Sequence, residues 1–211
     1  MGIKEQMEEI YLTMSEKDIP WNIETPPALL KKIFDDRKLI QSKVLELGCG
    51  IGNYVAYLSA TGIEATGVDI SDAAIATARN NVESKGLSCN FRVADVLEEH
   101  PELWNRYDFV YDWELLHHIF PNDRGQYAKN VNRMLKPGGR YLSVCFSEES
   151  PQFGGKGKYR ITPLGTELYF SSEVELESLF AGIFQIEELK TVEVQGKFST
   201  HLAVYVMMRK K

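Results

Sequence analysis

The sequence predicts a doubly wound α/β fold, and three observations predict it. Short apolar runs alternate along the chain with stretches of helical periodicity, the pattern of strands joined by crossover helices. One run, Val44, Leu45 and Leu47, stops at Gly48, Gly50 and Gly52, after which Tyr54, Val55, Tyr57 and Leu58 recur at helical spacing. A second run, Ala65 to Val68, ends at Asp69, about 20 residues beyond the glycines, where an acidic side chain can accept both hydroxyls of a ribose.

Length and composition bound the rest. A chain of 211 residues with 44% hydrophobic and 26% charged residues has ordinary globular composition and room for one α/β domain. It contains no apolar run long enough for a membrane span. The start, Met1-Gly2-Ile3-Lys4-Glu5-Gln6, is too polar for a signal peptide and has Gln6 where myristoylation needs Ser or Thr. A cytoplasmic location is expected. The net charge of −6, with scattered basic residues, argues against a nucleic-acid substrate. Cys49, Cys89 and Cys145 fit reduced thiols, with Cys89 and Cys145 on expected buried strands and Cys49 in the glycine turn as a small residue.

The glycine turn discriminates among nucleotides. A turn that opens a helix directs unpaired N–H groups and the positive helix end at a ligand. The dinucleotide fingerprint requires a third glycine where this chain has Asn53, and no P-loop lysine follows. Glu46, two residues before the first glycine, would repel a pyrophosphate but suits an amino group. The expected ligand is a nucleoside without phosphates.

The run Glu46-Leu47-Gly48-Cys49-Gly50-Ile51-Gly52 resembles the first motif of the class I S-adenosylmethionine-dependent methyltransferases. The resemblance implies that Glu46 lies near the methionine amino group and that Gly48, Cys49 and Gly50 cradle the methionine and sugar. Asp69, with Ile70 after it, would hold the ribose. The implied methyl donor is S-adenosylmethionine, with S-adenosylhomocysteine as product.

Taken in order, residues 3–16 read as an amphipathic helix within an N-terminal flap over 1–38, ahead of a core over 39–211. Pro26 and Pro27 open a second helix through Ala28, Leu29, Leu30, Ile33 and Phe34. Trp21 is either a flap residue over the ligand or a plug in the apolar edge. The segment Pro20-Trp21-Asn22 resembles the Pro-Trp-Asp segment of thiopurine, thiol and halide, and tellurite-resistance methyltransferases, with Asn22 replacing the aspartate. In those relatives this segment closes over the methyl donor.

Ser71 caps a helix that runs to Gly86, and 89–94 form a third strand. By resemblance, Asp95 accepts from the adenine amino group and Val96 supplies a backbone donor; from the residues alone, Asp95 is equally a helix N-cap. The fourth strand, 107–112, should deliver Asp112 and Trp113 to the ligand crevice beside the transferred methyl group, whereas Asp108, at the strand's start, reads as structural. His117 and His118 lack partners at metal-ligand spacing, so no metal is expected; His117 is a general base or a packing residue.

A helix over 122–136, capped by Asn122 or Asp123, ends at Pro137-Gly138-Gly139 before a fifth strand over 140–146. The connection 147–170 is long and glycine-rich, and its Lys156, Lys158 and Arg160 could hold an anionic acceptor. Ser171-Ser172-Glu173 caps the next helix, and strands 184–194 and 200–208 follow, joined at Gly196. The class resemblance, over about 40–208, implies a seven-stranded Rossmann-like sheet with an antiparallel last strand.

A sulfonium methyl is already activated, so the protein need only align an acceptor and exclude water. The expected activity is methyl transfer to a small molecule, with a thiol or other soft nucleophile as favoured acceptor. An oxygen or nitrogen acceptor, whose proton His117 or Asp112 would take as catalytic residue, is the alternative, and an NAD(P)-dependent oxidoreductase or a nucleoside sensor stands behind both. Neither the acceptor nor the oligomeric state follows from the sequence.

Overall fold

The computed structural model describes residues 2–36, 39 and 42–211, and the break expected after residue 38 lies outside them. The chain divides into two compact units, Met1–Asp95 with Gln195–Ser199, and Val96–Val194 with Thr200–Lys211.

In the first unit, α1 (Ile3–Thr13) and α2 (Ala28–Asp36) precede β1 (Lys43–Leu47), α3 (Asn53–Ala60), β2 (Glu64–Asp69), α4 (Asp72–Ser84) and β3 (Asn90–Val93). The strands run parallel in the order β3-β2-β1, with Leu47 opposite Val68 and Asp69 opposite Val93. Val44, Leu45 and Leu47 are fully buried whichever face of the strand they point from, which is why β1 reads as an apolar run rather than an alternating one. Ser71 caps α4 as expected, its hydroxyl accepting from the Ala74 N–H at 3.0 Å. α1 stops short of the expected residue 16. Met14 turns extended, and Glu16–Asp18 form a separate 3-10 turn.

The second unit contains β4 (Tyr107–Trp113), α5 (Pro121–Met134), β5 (Leu135–Phe146), β6 (Tyr159–Ile161), β7 (Glu167–Tyr169), α6 (Glu173–Phe180), β8 (Phe184–Gln195) and β9 (Thr200–Lys210). Its main strands are ordered β4-β5-β9-β8, with β5 parallel to β4 and antiparallel to β9. Three strands in the first unit and four in the second give the seven-stranded, doubly wound Rossmann-like fold expected. α6 begins with a complete capping box between Ser172 and Glu175.

Several expected boundaries are corrected. α5 starts with Pro121 in its first turn after Phe120, so neither Asn122 nor Asp123 caps it. β5 absorbs Leu135 to Gly139, because pairing with β4 resumes across a register shift between Tyr107 and Phe109, where a proline without an N–H is tolerated. Asp95 caps no helix. The carbonyls of Val96 and Glu98 accept instead from the Asn130 side chain, at 3.0 and 2.9 Å, and the next element is a 3-10 turn at Pro101–Leu103. Cys89 lies just before β3 and only half-buried. The 147–170 connection is ordered as a 3-10 turn, Gln152–Gly154, followed by the β6–β7 hairpin.

Candidate functional site

In the first unit the paired ends of β1 and β2 flank the glycine turn. Asp69 ends β2, and its carboxylate accepts from Gly50 N at 2.8 Å and Ser71 N at 3.0 Å. A carboxylate has about four acceptor positions, so these bonds orient the group and leave it able to accept hydroxyls. Burial raises the Asp69 pKa, and the N–H donors of Ser71, Gly50 and Ile70 oppose that rise. Gly50 is left-handed at φ +52°, and a Cβ added there would lie 2.8 Å from the Tyr11 hydroxyl. Glu46 is buried at the end of β1, and Gly48 begins the turn.

Cys49 is small for a reason: its Sγ lies 2.7 Å from where a Cβ on Gly67 of β2 would be. Its thiol is buried and its pKa raised well above normal, first by burial and then by Asp69 and Glu46, so it stays protonated and unreactive.

Trp21 is half-buried and donates from Nε1 to the Tyr11 hydroxyl at 2.8 Å, with the rings edge to face at 6.3 Å. The neighbouring Asn22 accepts from the Asn53 amide at 2.7 Å. The residue that breaks the dinucleotide fingerprint therefore anchors the tryptophan segment to the first turn of α3.

In the second unit, Asp112 is wholly buried rather than presented at an open crevice. One oxygen accepts from both the Tyr127 hydroxyl, at 3.0 Å, and the Tyr141 hydroxyl. Burial pushes its pKa up to about 6 against those hydrogen bonds. Trp113, the next residue, is half-buried, as are Asp95 and Val96. Asp108 pairs with Lys136 at 2.8 Å, the structural role expected of it.

His117 sits in a 3-10 turn, Leu116–His118, with its ring 4.6 Å from His118 and 4.8 Å from Phe146. Its Nδ1 is buried without a hydrogen-bond partner. Burial, then the neighbouring His118, His201 and Arg124, hold its pKa well below normal, so the ring is neutral. Among the described residues no cluster of three or more His, Cys, Asp or Glu could hold a metal.

The basic residues of the 147–170 segment do not form the anion site that the sequence suggested. Arg160 is buried and donates to the carbonyls of Glu148, Ser150, Gln152 and Gly157. Lys158 bridges Glu148 and Glu175, leaving only Lys156 exposed.

Sequence reasoning missed Tyr11, Glu114 and His201. Tyr11 looks like any residue of an amphipathic helix. Glu114 is left-handed at φ +67°, a conformation without a sequence signal in a glutamate, and it pairs with His201 from 87 positions away.

Residues 44–139 match the family model described as "Methyltransferase domain". Residues 44–139 are thus similar to a methyltransferase domain, and the fold is that of class I methyltransferases. That class uses S-adenosylmethionine as methyl donor, and the stretch from Glu46 to Asp69 fits such a donor: N–H groups at a glycine turn, an oriented carboxylate and no phosphate clamp.

The domain is 32% identical over 148 residues to a ubiquinone biosynthesis O-methyltransferase of Coxiella burnetii, covering 68% of this chain and 62% of that protein. It is 35% identical over 129 residues to the Bradyrhizobium diazoefficiens protein of the same name, covering 59% and 49%. The chain thus spans less than two thirds of the length of these relatives. Among solved structures, one described as "Conversion of a Disulfide Bond into a Thioacetal Group during Echinomycin Biosynthesis" superposes with a TM-score of 0.82 at 25% identity, over 99% of this chain and 93% of the other. The Burkholderia thailandensis 1,6-didemethyltoxoflavin-N1-methyltransferase superposes at 0.77 and 21%, over 99% and 87%, and supports the fold. No described helix is long and apolar enough to cross a membrane.

Proposed function

We propose that this protein transfers the methyl group of S-adenosylmethionine to a small-molecule acceptor, and that the favoured acceptor is a thiol or another soft nucleophile. The observation that carries the reading is the Asp69 carboxylate, oriented by the N–H groups of Gly50 and Ser71 at the mouth of a glycine turn. Asp69 takes the ribose hydroxyls, Glu46 the methionine amino group, and Gly48, Cys49, Gly50 and Ile70 line the same cradle. Tyr11 and Trp21 cover it. Asp95 faces the adenine.

When bound, the sulfonium supplies a methyl group that is already a strong electrophile, so the chain's own task is alignment and exclusion of water. Asp112 positions Tyr127 and Tyr141 beneath the end of β4. His117, neutral and aromatic-packed, forms a wall for the acceptor. Likeness to the thioacetal-forming neighbour supports a sulfur acceptor. A second reading, an oxygen acceptor, is favoured by the similarity to ubiquinone O-methyltransferases.

The test is methyl-labelled S-adenosylmethionine with a panel of thiols, sulfide, phenols and amines, counting label in extracted product. Transfer confined to sulfur is the expected result. Transfer only to oxygen or nitrogen overturns the sulfur preference, and no transfer to any acceptor contradicts the activity.

A further inference from the structure

The carboxyl ends of β4 and β5 and the start of antiparallel β9 lie at one edge of the second unit's sheet, with Phe146 opposite Ala203. In open α/β sheets that edge is where ligands bind. Two residues meet there that nothing in the sequence connects. Glu114, just beyond β4, sets its Oε1 against Nε2 of His201 at the second position of β9. We infer that Glu114 and His201 form the proton-accepting pair of methyl transfer, His201 as catalytic base and Glu114 as its positioning residue; this rests on the methyltransferase reading above.

Three features support the pair. Glu114 holds a left-handed backbone, fixed by its N–H to the Val144 carbonyl at 2.7 Å, and such strain in a non-glycine residue persists where surrounding structure determines it, commonly at functional sites. His201 is only 7% exposed and lies against Phe146, ring centroids 4.6 Å apart, in a wall continued by Phe170 and Phe153. Glu114 engages Nε2, which fixes the proton on that nitrogen and leaves Nδ1 with its lone pair for an acceptor.

His117 is the rival base, and it is less suited. A base that becomes a cation in a buried place needs a counter-charge, and among the described residues no carboxylate hydrogen-bonds His117, whose buried Nδ1 is unpartnered. The charged and titratable groups around His201 are Glu114 and, across Phe146, His117 with His118 behind it. Arg124, which also acts on His117, is committed to the carbonyls of Ile119 and Leu116 and to the Ser171 hydroxyl.

The step balances for a weakly acidic hydroxyl or thiol. The acceptor atom gives its proton to Nδ1 of His201 as its electron pair forms the bond to the methyl carbon. The bond from that carbon to the donor sulfur breaks, and sulfur keeps the pair as a neutral thioether. The imidazolium, held by the Glu114 carboxylate, returns its proton to water.

The test uses the full chain with 15N-labelled histidine. Long-range 1H–15N spectra at neutral pH should show His201 protonated on Nε2 with Nδ1 bare, and this preference should be lost in Glu114→Gln. With the best acceptor of the wild type, His201→Asn should lower kcat about a hundredfold or more, the range of general-base catalysis, without changing KM for S-adenosylmethionine. The loss should shrink as pH rises towards the acceptor's own pKa, where no base is needed. An Nδ1-protonated tautomer, or a His201→Asn enzyme within threefold of an active wild type, overturns the pair while leaving the methyltransferase reading intact. A wild type that moves no label to any acceptor overturns that underlying reading, and the pair as a catalytic device with it.

Discussion

Asp112 shows how burial converts one side chain into a pH-dependent feature of the whole domain. Its pKa stands at about 6 in the fold against 3.8 when exposed. Between those values the native state binds more protons than the unfolded state, so its contribution to stability is complete below pH 3.8 and is lost as pH rises through 6. The cost at pH 7 is about 3 kcal/mol. Tyr127 and Tyr141 limit it by donating to the ionised form. Replacing the residue by Asn removes the titration, so the Asp112→Asn protein should gain in melting temperature relative to wild type between pH 4.5 and 7. Parallel melting curves across that range would contradict this account. Cys49 shows the same principle without a charge, because Gly67 leaves space for Sγ and little else.

At the scale of elements, the informative case is the 147–170 segment. Its lysines and arginine read as a site for an anionic acceptor, whereas Arg160 is a staple that satisfies four main-chain carbonyls, those of Glu148, Ser150, Gln152 and Gly157. Composition could not distinguish these, because the same guanidinium serves an anion or a set of carbonyls and only the path of the backbone decides. Arg160→Met should therefore lower stability by roughly 2–4 kcal/mol, the loss of several charge-assisted bonds to buried acceptors, and open 148–158 to proteolysis. Lys156→Ala should do neither. Equal resistance to denaturant in wild type and Arg160→Met would overturn the staple. A second unforeseen contact holds α1: the Glu8 carboxylate accepts from the Ser71 hydroxyl at 2.6 Å and from Ala73 N at 3.2 Å, at the positive end of α4. Periodicity predicted that helix; it could not say what its polar face would bind.

For the molecule as a whole, what was legible followed short-range physics. β1, its glycine turn, the Ser71 cap and Asp69 announce themselves because each depends on residues within a few positions of one another. Glu114 and His201 do not, since their meeting depends on the register of β9 with β5. Tyr11 is similar, reaching Gly50 only after the segment between them has folded back. The residues of the proposed donor site are thus near neighbours in sequence, and those of the proposed acceptor site are not. The central claim is that the Glu46 to Asp69 stretch binds S-adenosylmethionine, and isothermal titration with S-adenosylhomocysteine tests it most directly. The account predicts one site per chain in the wild type and binding weakened at least tenfold in Asp69→Ala, about 1.4 kcal/mol or more. A folded wild type that binds no S-adenosylhomocysteine, or an Asp69→Ala protein that binds it equally well, would contradict it.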